Sequence, residues 1–343
     1  MSSKPFLWNR YNEVEAIGEG GMGTVVRAHD VGLDRDVAIK RLHPELGDGE
    51  SLQRFLMEAK ATGQLEHPNI PPVYELGQDE QGNPYFALKL VRGQSLQQLI
   101  KRLREESDAA LHDHYRFTHR LALFLKVCEA VAYAHERGIL HRDIKPDNIM
   151  VGEFGEVFLM DWGLAKDQGT PAPGALETQV GSFVGTPMYA SPEQISADKV
   201  DALSDVYSLG ATLYEWLSLK TPFKNGNLRE VLTAVLTKNP VLPEFHSHPV
   251  QGRLPVEMSR LVMKAMHKER ERRFPSAQAM IEEIKNILDG DIQVVCPCTA
   301  VKSGFHGISR TLDNYPILVF LVMPWLLYPL YALGMVLWHW LRP

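Results

Sequence analysis

His141-Arg142-Asp143-Ile144-Lys145-Pro146-Asp147-Asn148 is the stretch whose reading decides this chain. It follows an apolar helical pattern, with Leu121, Phe124, Val127, Val131 and Ala134 on one face and Gly138 as the stop signal, and it precedes a short strand near 149–151. A loop so placed presents a carboxylate, a lysine and a side-chain amide oxygen to one point in space. A second apolar run, 157–160, leads directly into Asp161-Trp162-Gly163 and adds another carboxylate. Such oxygen donors suit magnesium, which takes one or two ligands from protein and the rest from phosphate and water.

Outward toward the N-terminus lies Gly18-Glu19-Gly20-Gly21-Met22-Gly23. Glycines let backbone amides approach phosphate oxygens closely. The pattern alone also fits an ordinary hairpin turn. A dinucleotide site would need a helix after Gly23, and Thr24-Val25-Val26 predicts a strand there. Val37-Ala38-Ile39-Lys40 then places a lysine on a strand within reach of phosphates under the glycine loop. Glu58, on a helix predicted by Leu52, Phe55, Leu56, Ala59 and Leu65, is its candidate partner. Taken singly, the lysine reads equally as a snorkelling surface residue and the glutamate as a solvated one.

The surrounding pattern is consistent with these placements. Residues 14–42 read as three strands joined by turns, and 72–76 and 85–91 as two more about the turn-rich Asp79-Glu80-Gln81-Gly82-Asn83-Pro84. Beyond Gly93 the character changes to helix, with helical patterns running from 205 to 288. The expected fold class is α+β: a small antiparallel sheet with one main helix, then a larger helical region.

Over residues 11–288 the order and spacing of these motifs resemble the eukaryotic-type protein kinase family, most closely its bacterial branch. The resemblance implies a bilobal kinase fold, with an N-lobe at 11–91 and a C-lobe at 92–288. It implies that Gly18, Gly20 and Gly23 cover the phosphates of ATP, with Ile17, Glu19, Gly21, Met22, Val25, Ala38 and Leu88 completing the nucleotide site. Leu88 would be the gatekeeper at the back of the adenine pocket and 89–91 the hinge. Lys40 would contact phosphates and pair with Glu58. Asp143 would be the catalytic base and Lys145 would neutralise the transferred group. Asn148 and Asp161 would bind Mg²⁺, or Mn²⁺ in its place.

Thr186, in Gly185-Thr186-Pro187, would approach Asp143 and Lys145; Glu193, in Ser191-Pro192-Glu193, would form a buried ion pair with Arg273; and Asp205 would brace the catalytic loop. The lysine two residues past the base is the serine/threonine form of the loop. The implied reaction is therefore transfer of the γ-phosphoryl group of ATP to Ser or Thr hydroxyls of proteins. Arg142 beside the base would meet a phosphate on the activation segment, with Thr178 or Ser182 as the expected sites of autophosphorylation, which also implies self-association. The competing reading is a kinase-like scaffold without turnover, which would be expected to lack one of Lys40, Asp143, Asn148 or Asp161. Two positions depart from the family pattern: Trp162 stands where Phe is usual, and Ser191 where Ala is usual. Both read as local variation, although Trp162 stands to alter how readily its loop swings.

Composition bounds the remaining choices. A net charge of -6 gives no basic footprint for nucleic acid, which is not expected as a partner. Three cysteines, Cys128, Cys296 and Cys298, are too few for a disulfide framework and suit a reducing compartment. Residues 1–10 form a short extension without the pattern of a cleaved leader, and 289–315 read as a linker in which Cys296-Pro297-Cys298 has no standard metal spacing. Residues 316–341 are apolar, with His339 the only ionisable side chain, long enough for a transmembrane segment contacting membrane lipid. Pro324 and Pro329 leave a kinked span and a re-entrant hairpin both open. Lys302 and Arg310 outnumber Arg342, which places the kinase region on the cytoplasmic side of a cell membrane, with no extracellular sensor on the chain.

Overall fold

The computed structural model describes residues 10–20, 23–46, 49–162, 166–167, 187–223, 226–248 and 250–290. It divides into two units, Met1–Lys285 and Asn286–Pro343, and of the second only 286–290 are described.

Alternation of β-branched and polar residues builds the first half of the larger unit. Strands β1 (Tyr11–Glu19), β2 (Gly23–Asp30), β3 (Arg35–Leu42), β4 (Val73–Gln78) and β5 (Pro84–Lys89) form one antiparallel sheet in the order β1-β2-β3-β5-β4. Helix α1 (Glu50–Gln64) crosses between β3 and β4. The sheet has a core on each side. On one, Val26, Ala28, Val37, Ile39, Tyr85 and Ala87 pack together. On the other, Ala38, Leu42, Phe86 and Leu88 meet Phe55 and Ala59 of α1. Period two along β3 therefore sends Val37 and Ile39 one way and Ala38 and Lys40 the other. Asp79 closes the β4–β5 hairpin, its Oδ1 accepting the amides of Gln81 at 3.0 Å and Asn83 at 2.8 Å.

After β5 the chain is mainly helical. A short strand β6 (Gly93–Ser95) leads into α2 (Leu96–Glu105), started by a Ser95–Gln98 capping box. Helix α3 (Ala109–His114) is short, and α4 (Phe117–Glu136) buries Leu121, Phe124, Val127, Val131 and Ala134 as the sequence pattern requires. Gly138 follows it with φ +75°, the left-handed conformation in which glycine costs least. Strands β7 (Ile139–Leu140), β8 (Ile149–Gly152) and β9 (Val157–Leu159) flank the decisive loop, with β8 between β6 and β9, and β7 pairs with β10 (Lys166–Asp167).

Below them come α5 (Pro192–Ile195), the almost wholly buried α6 (Ala202–Ser218), α7 (Leu228–Thr237), a small hairpin of β11 (Ser247–His248) and β12 (Gly252–Arg253), then α8 (Val256–Ala265) and α9 (Ala277–Asp289). No helix among the described residues is long and apolar enough to cross a membrane. The apolar stretch 316–341, like Cys296 and Cys298, lies outside the described residues.

Candidate active site

The chemistry-bearing side chains converge where the sheet faces the loop between β7 and β8. Lys40, on β3, carries its ammonium 2.5 Å from Glu58 Oε1 on α1 and 3.8 Å from Asp161 Oδ1. Burial alone would lower the pKa of Lys40, but the two carboxylates outweigh it and the value is raised, so the cation is held. Burial pushes the Glu58 carboxyl up to about 7, with Asp161 adding to the rise and Lys40 opposing it. The pair that the sequence could offer only as a candidate is thus formed.

Above it, the glycine loop is a hairpin between two strands. The amide of Gly20 donates to Gly23 O at 3.0 Å, and β2 begins at Gly23, so no helix opens there and the dinucleotide reading is set aside. A Cβ on Gly23 would lie 1.9 Å from Arg41 O, so the position admits only glycine. Gly18, Glu19 and the half-exposed Ile17 stand on β1. Gly21 and Met22 are outside the described residues. Val25, Ala38 and Leu88 share one apolar cluster, and Met160 and Leu90 pack against it too. Met160 escaped the sequence reading because it is simply the residue before Asp161; only the fold brings it beside Leu88.

The loop itself is rigidly stitched. Lys145 Nζ donates to Asp143 Oδ2 at 2.6 Å, and Asn148 Nδ2 donates to the same oxygen at 3.1 Å and to Asp143 O at 2.8 Å. With its NH₂ so used, Asn148 keeps its amide oxygen as the group for a cation. Met160 N donates to Asn148 O at 2.7 Å, which ties the residue just before Asp161 to the loop bearing Asn148. Asp161 is partly exposed and has φ +59°; Arg142, just before Asp143, has φ +68°. Two non-glycine residues in this sparsely populated region, one preceding a reactive carboxylate and the other carrying one, mark a site where backbone strain is held by its surroundings.

Asp205, buried at the start of α6, supplies part of that hold. Its Oδ2 accepts from His141 N at 2.9 Å and contacts His135 Nε2 at 2.8 Å, while Oδ1 accepts from Arg142 N at 2.8 Å. Burial works to raise its pKa, yet these partners hold it below the usual carboxylate value. Glu193, at the start of α5, forms a bidentate pair with Arg273 at 2.7 and 2.9 Å and also accepts from Ser204 Oγ at 2.7 Å. His135 and Ser204 gave no sequence signal, since their contacts span the chain. Trp162 is buried and donates its indole N–H to Leu159 O at 3.2 Å, with its ring 4.6 Å from that of His141. Phe in that place could pack but not donate, so the departure adds a bond. Gly163, Thr178, Ser182 and Thr186 fall outside the described residues.

The donor set fits the group it would hold. Among the described residues no cluster of three or more His, Cys, Asp or Glu could hold a metal by itself. Asp161 and Asn148 offer two oxygens, the number magnesium takes when phosphate supplies the rest.

Comparison with known proteins agrees with this geometry. The family model described as a protein kinase domain matches residues 11–284. Among curated proteins, the serine/threonine-protein kinase PknD of Protochlamydia amoebophila is 35% identical over 313 residues, covering 85% of this chain and 31% of that protein. The protein of the same name from Chlamydia trachomatis serovar D is 35% identical over 303 residues, covering 82% of this chain and 32% of its own length. The chain spans about a third of the length of these relatives.

Proposed function

The chain belongs to the protein kinase family, and from that premise we propose that it is a serine/threonine protein kinase transferring the γ-phosphoryl group of ATP to protein hydroxyls. The observation that carries the proposal is the convergence of the Lys40–Glu58 pair, Asp161 and the Asp143–Lys145–Asn148 cluster on one cleft.

In this reading the apolar cluster of Val25, Ala38 and Leu88 receives the adenine, and the glycine hairpin with Lys40 orients the phosphates. Mg²⁺, held by Asp161 and Asn148, would offset charge on the phosphate oxygens. Asp143 orients the incoming hydroxyl and takes its proton at a carboxylate oxygen. Lys145, already 2.6 Å from that carboxylate, lies close enough to neutralise the group in flight. Catalysis of this kind rests on positioning and fixed charge.

Three further readings belong to the same proposal. Residues 11–288 act as the catalytic domain. Thr178 or Ser182 is autophosphorylated, which mass spectrometry of the protein after incubation with Mg-ATP tests by finding the segment modified or bare. The stretch 316–341 anchors the chain to a membrane with the catalytic domain in the cytoplasm, a reading supported by its length and near absence of charge; flotation with lipid vesicles tests it. For the central claim the test is radiolabel transfer from ATP to a generic protein substrate. Asp161→Ala is expected to abolish transfer in a protein whose circular dichroism is unchanged, and transfer at the wild-type rate would overturn the assignment.

A further inference from the structure

The strained residue before the base is held on both sides of its backbone. Arg142 has φ +68°, its amide donates to Asp205 Oδ1 at 2.8 Å, and its carbonyl accepts from Gln194 Nε2 at 2.8 Å. Gln194 lies on α5, fifty-two residues further along the chain. Its amide orientation follows from chemistry alone: Oε1 accepts from the Ser191 amide at 2.9 Å and from Ser191 Oγ at 3.1 Å, so the NH₂ must be the end that faces Arg142. Ser191 Oγ in turn accepts from the Gln194 amide at 3.3 Å, which closes a capping box at the start of α5. Ser191 is fully buried. The hydroxyl that departs from the family's alanine therefore has a specific use, because it fixes the rotamer of Gln194.

We propose that Gln194, oriented by Ser191, is a positioning residue for the phosphoryl-transfer reaction, acting through Arg142 on the direction of Asp143. A left-handed conformation at a residue with a Cβ relaxes unless its neighbours over-determine it. Asp205 fixes the amide of Arg142, which belongs to the preceding peptide; Gln194 fixes the carbonyl, in the peptide shared with Asp143. The other end of that same peptide is the Asp143 amide, which donates to His141 Nδ1 at 3.2 Å, so Gln194 holds the plane together with this longer bond. Rotation of the Arg142 carbonyl would thus swing Asp143 away from Lys145 and Asn148. This inference rests on the kinase reading for its activity arm only.

The experiment compares Gln194→Leu in two backgrounds, wild type and Arg142→Gly. Glycine adopts positive φ at no steric cost, so it removes the strain that Gln194 is inferred to hold. In the wild-type background kcat is expected to fall about ten- to hundredfold, with KM for ATP nearly unmoved and Tm lowered by the loss of the capping box. In the Arg142→Gly background the same substitution is expected to lower kcat by less than about threefold. Ser191→Ala should give a smaller loss in the same direction. Hydrogen exchange across 141–148 supplies a readout independent of turnover, and it should quicken about tenfold in Gln194→Leu. An equal loss in both backgrounds, an unchanged kcat, or exchange that does not quicken would overturn the proposal. If the wild-type protein transferred no phosphate while exchange still quickened, the kinase reading would fail, the positioning role in phosphoryl transfer would fall with it, and only the hold of Gln194 on the loop backbone would stand.

Discussion

Glu58 carries two opposed demands. To hold Lys40 it must be ionised, yet its side chain is only 5% exposed and lies near a second carboxylate, Asp161, so its pKa is raised to about 7, by burial first. The ionised form makes the pair, so the pair weakens as pH falls through that value. The expected outcome is an acid limb near pH 7 in kcat/KM for ATP. Glu58→Gln should lower kcat/KM by about one to two orders of magnitude and flatten that limb, since the remaining amide does not titrate in this range. A pH–rate profile of the two proteins checks this, and an unaltered acid limb in the variant would assign it to another group. At this scale a sequence is most legible where residues are chemically distinctive and adjacent to one another. Asp143, Lys145 and Asn148 announced themselves within six positions. Gln194 did not, because its role depends on which carbonyl the fold brings to it.

Helix α6 shows how an element can be legible in existence and silent in purpose. The sequence pattern predicted helix from 205 onward without saying which part lies inside, and this helix is buried along nearly its whole length. What the pattern could not tell is which helix lies against it, because hydrophobic periodicity reports a face and not a partner. Gly210 records the answer: a Cβ there would come within 2.7 Å of Ala265 Cβ and 3.2 Å of the Ala265 carbonyl carbon, on α8. Alanine in a helix is worth about 1 kcal/mol over glycine, so an isolated helix would gain from Gly210→Ala. Overpacking against backbone costs about 1–3 kcal/mol and should win here. The variant is expected to be destabilised by about 1 kcal/mol net, read as a lower midpoint in urea with an unchanged slope. A higher midpoint would mean that α8 yields freely, contrary to the packing. Helix α2 makes the complementary point, since its Ser95–Gln98 capping box stands openly in the sequence yet gains meaning only beside a run of Leu96, Leu99, Ile100 and Leu103 facing the core.

Across the whole molecule, the pair of Glu193 and Arg273 joins residues eighty positions apart, linking the start of α5 to the segment before α9. Sequence proposed this pair only through family resemblance, as no spacing rule connects such distant charges. Both side chains are buried, 4% and 0% exposed, and burial alone would raise the pKa of Glu193; Arg273 and Ser204 overcome it and hold the value below normal. A depressed carboxyl contributes stability that is present above its unfolded value, near 4.5, and lost as pH falls through the lower folded value. Removing the guanidinium reverses that dependence. In Arg273→Met the carboxyl stays buried without its cation, its pKa rises, and stability is then lost as pH climbs above about 4.5 rather than as it falls. The cost at neutral pH should be about 3–5 kcal/mol, the usual penalty for orphaning one member of a buried pair. The deficit should shrink toward pH 4, where the variant's carboxyl is largely neutral in both its folded and its unfolded chain. Urea unfolding of both proteins at pH 4, 5 and 7 checks the sign as well as the size, and a deficit independent of pH would show that Arg273 acts by packing against Tyr207 rather than by charge.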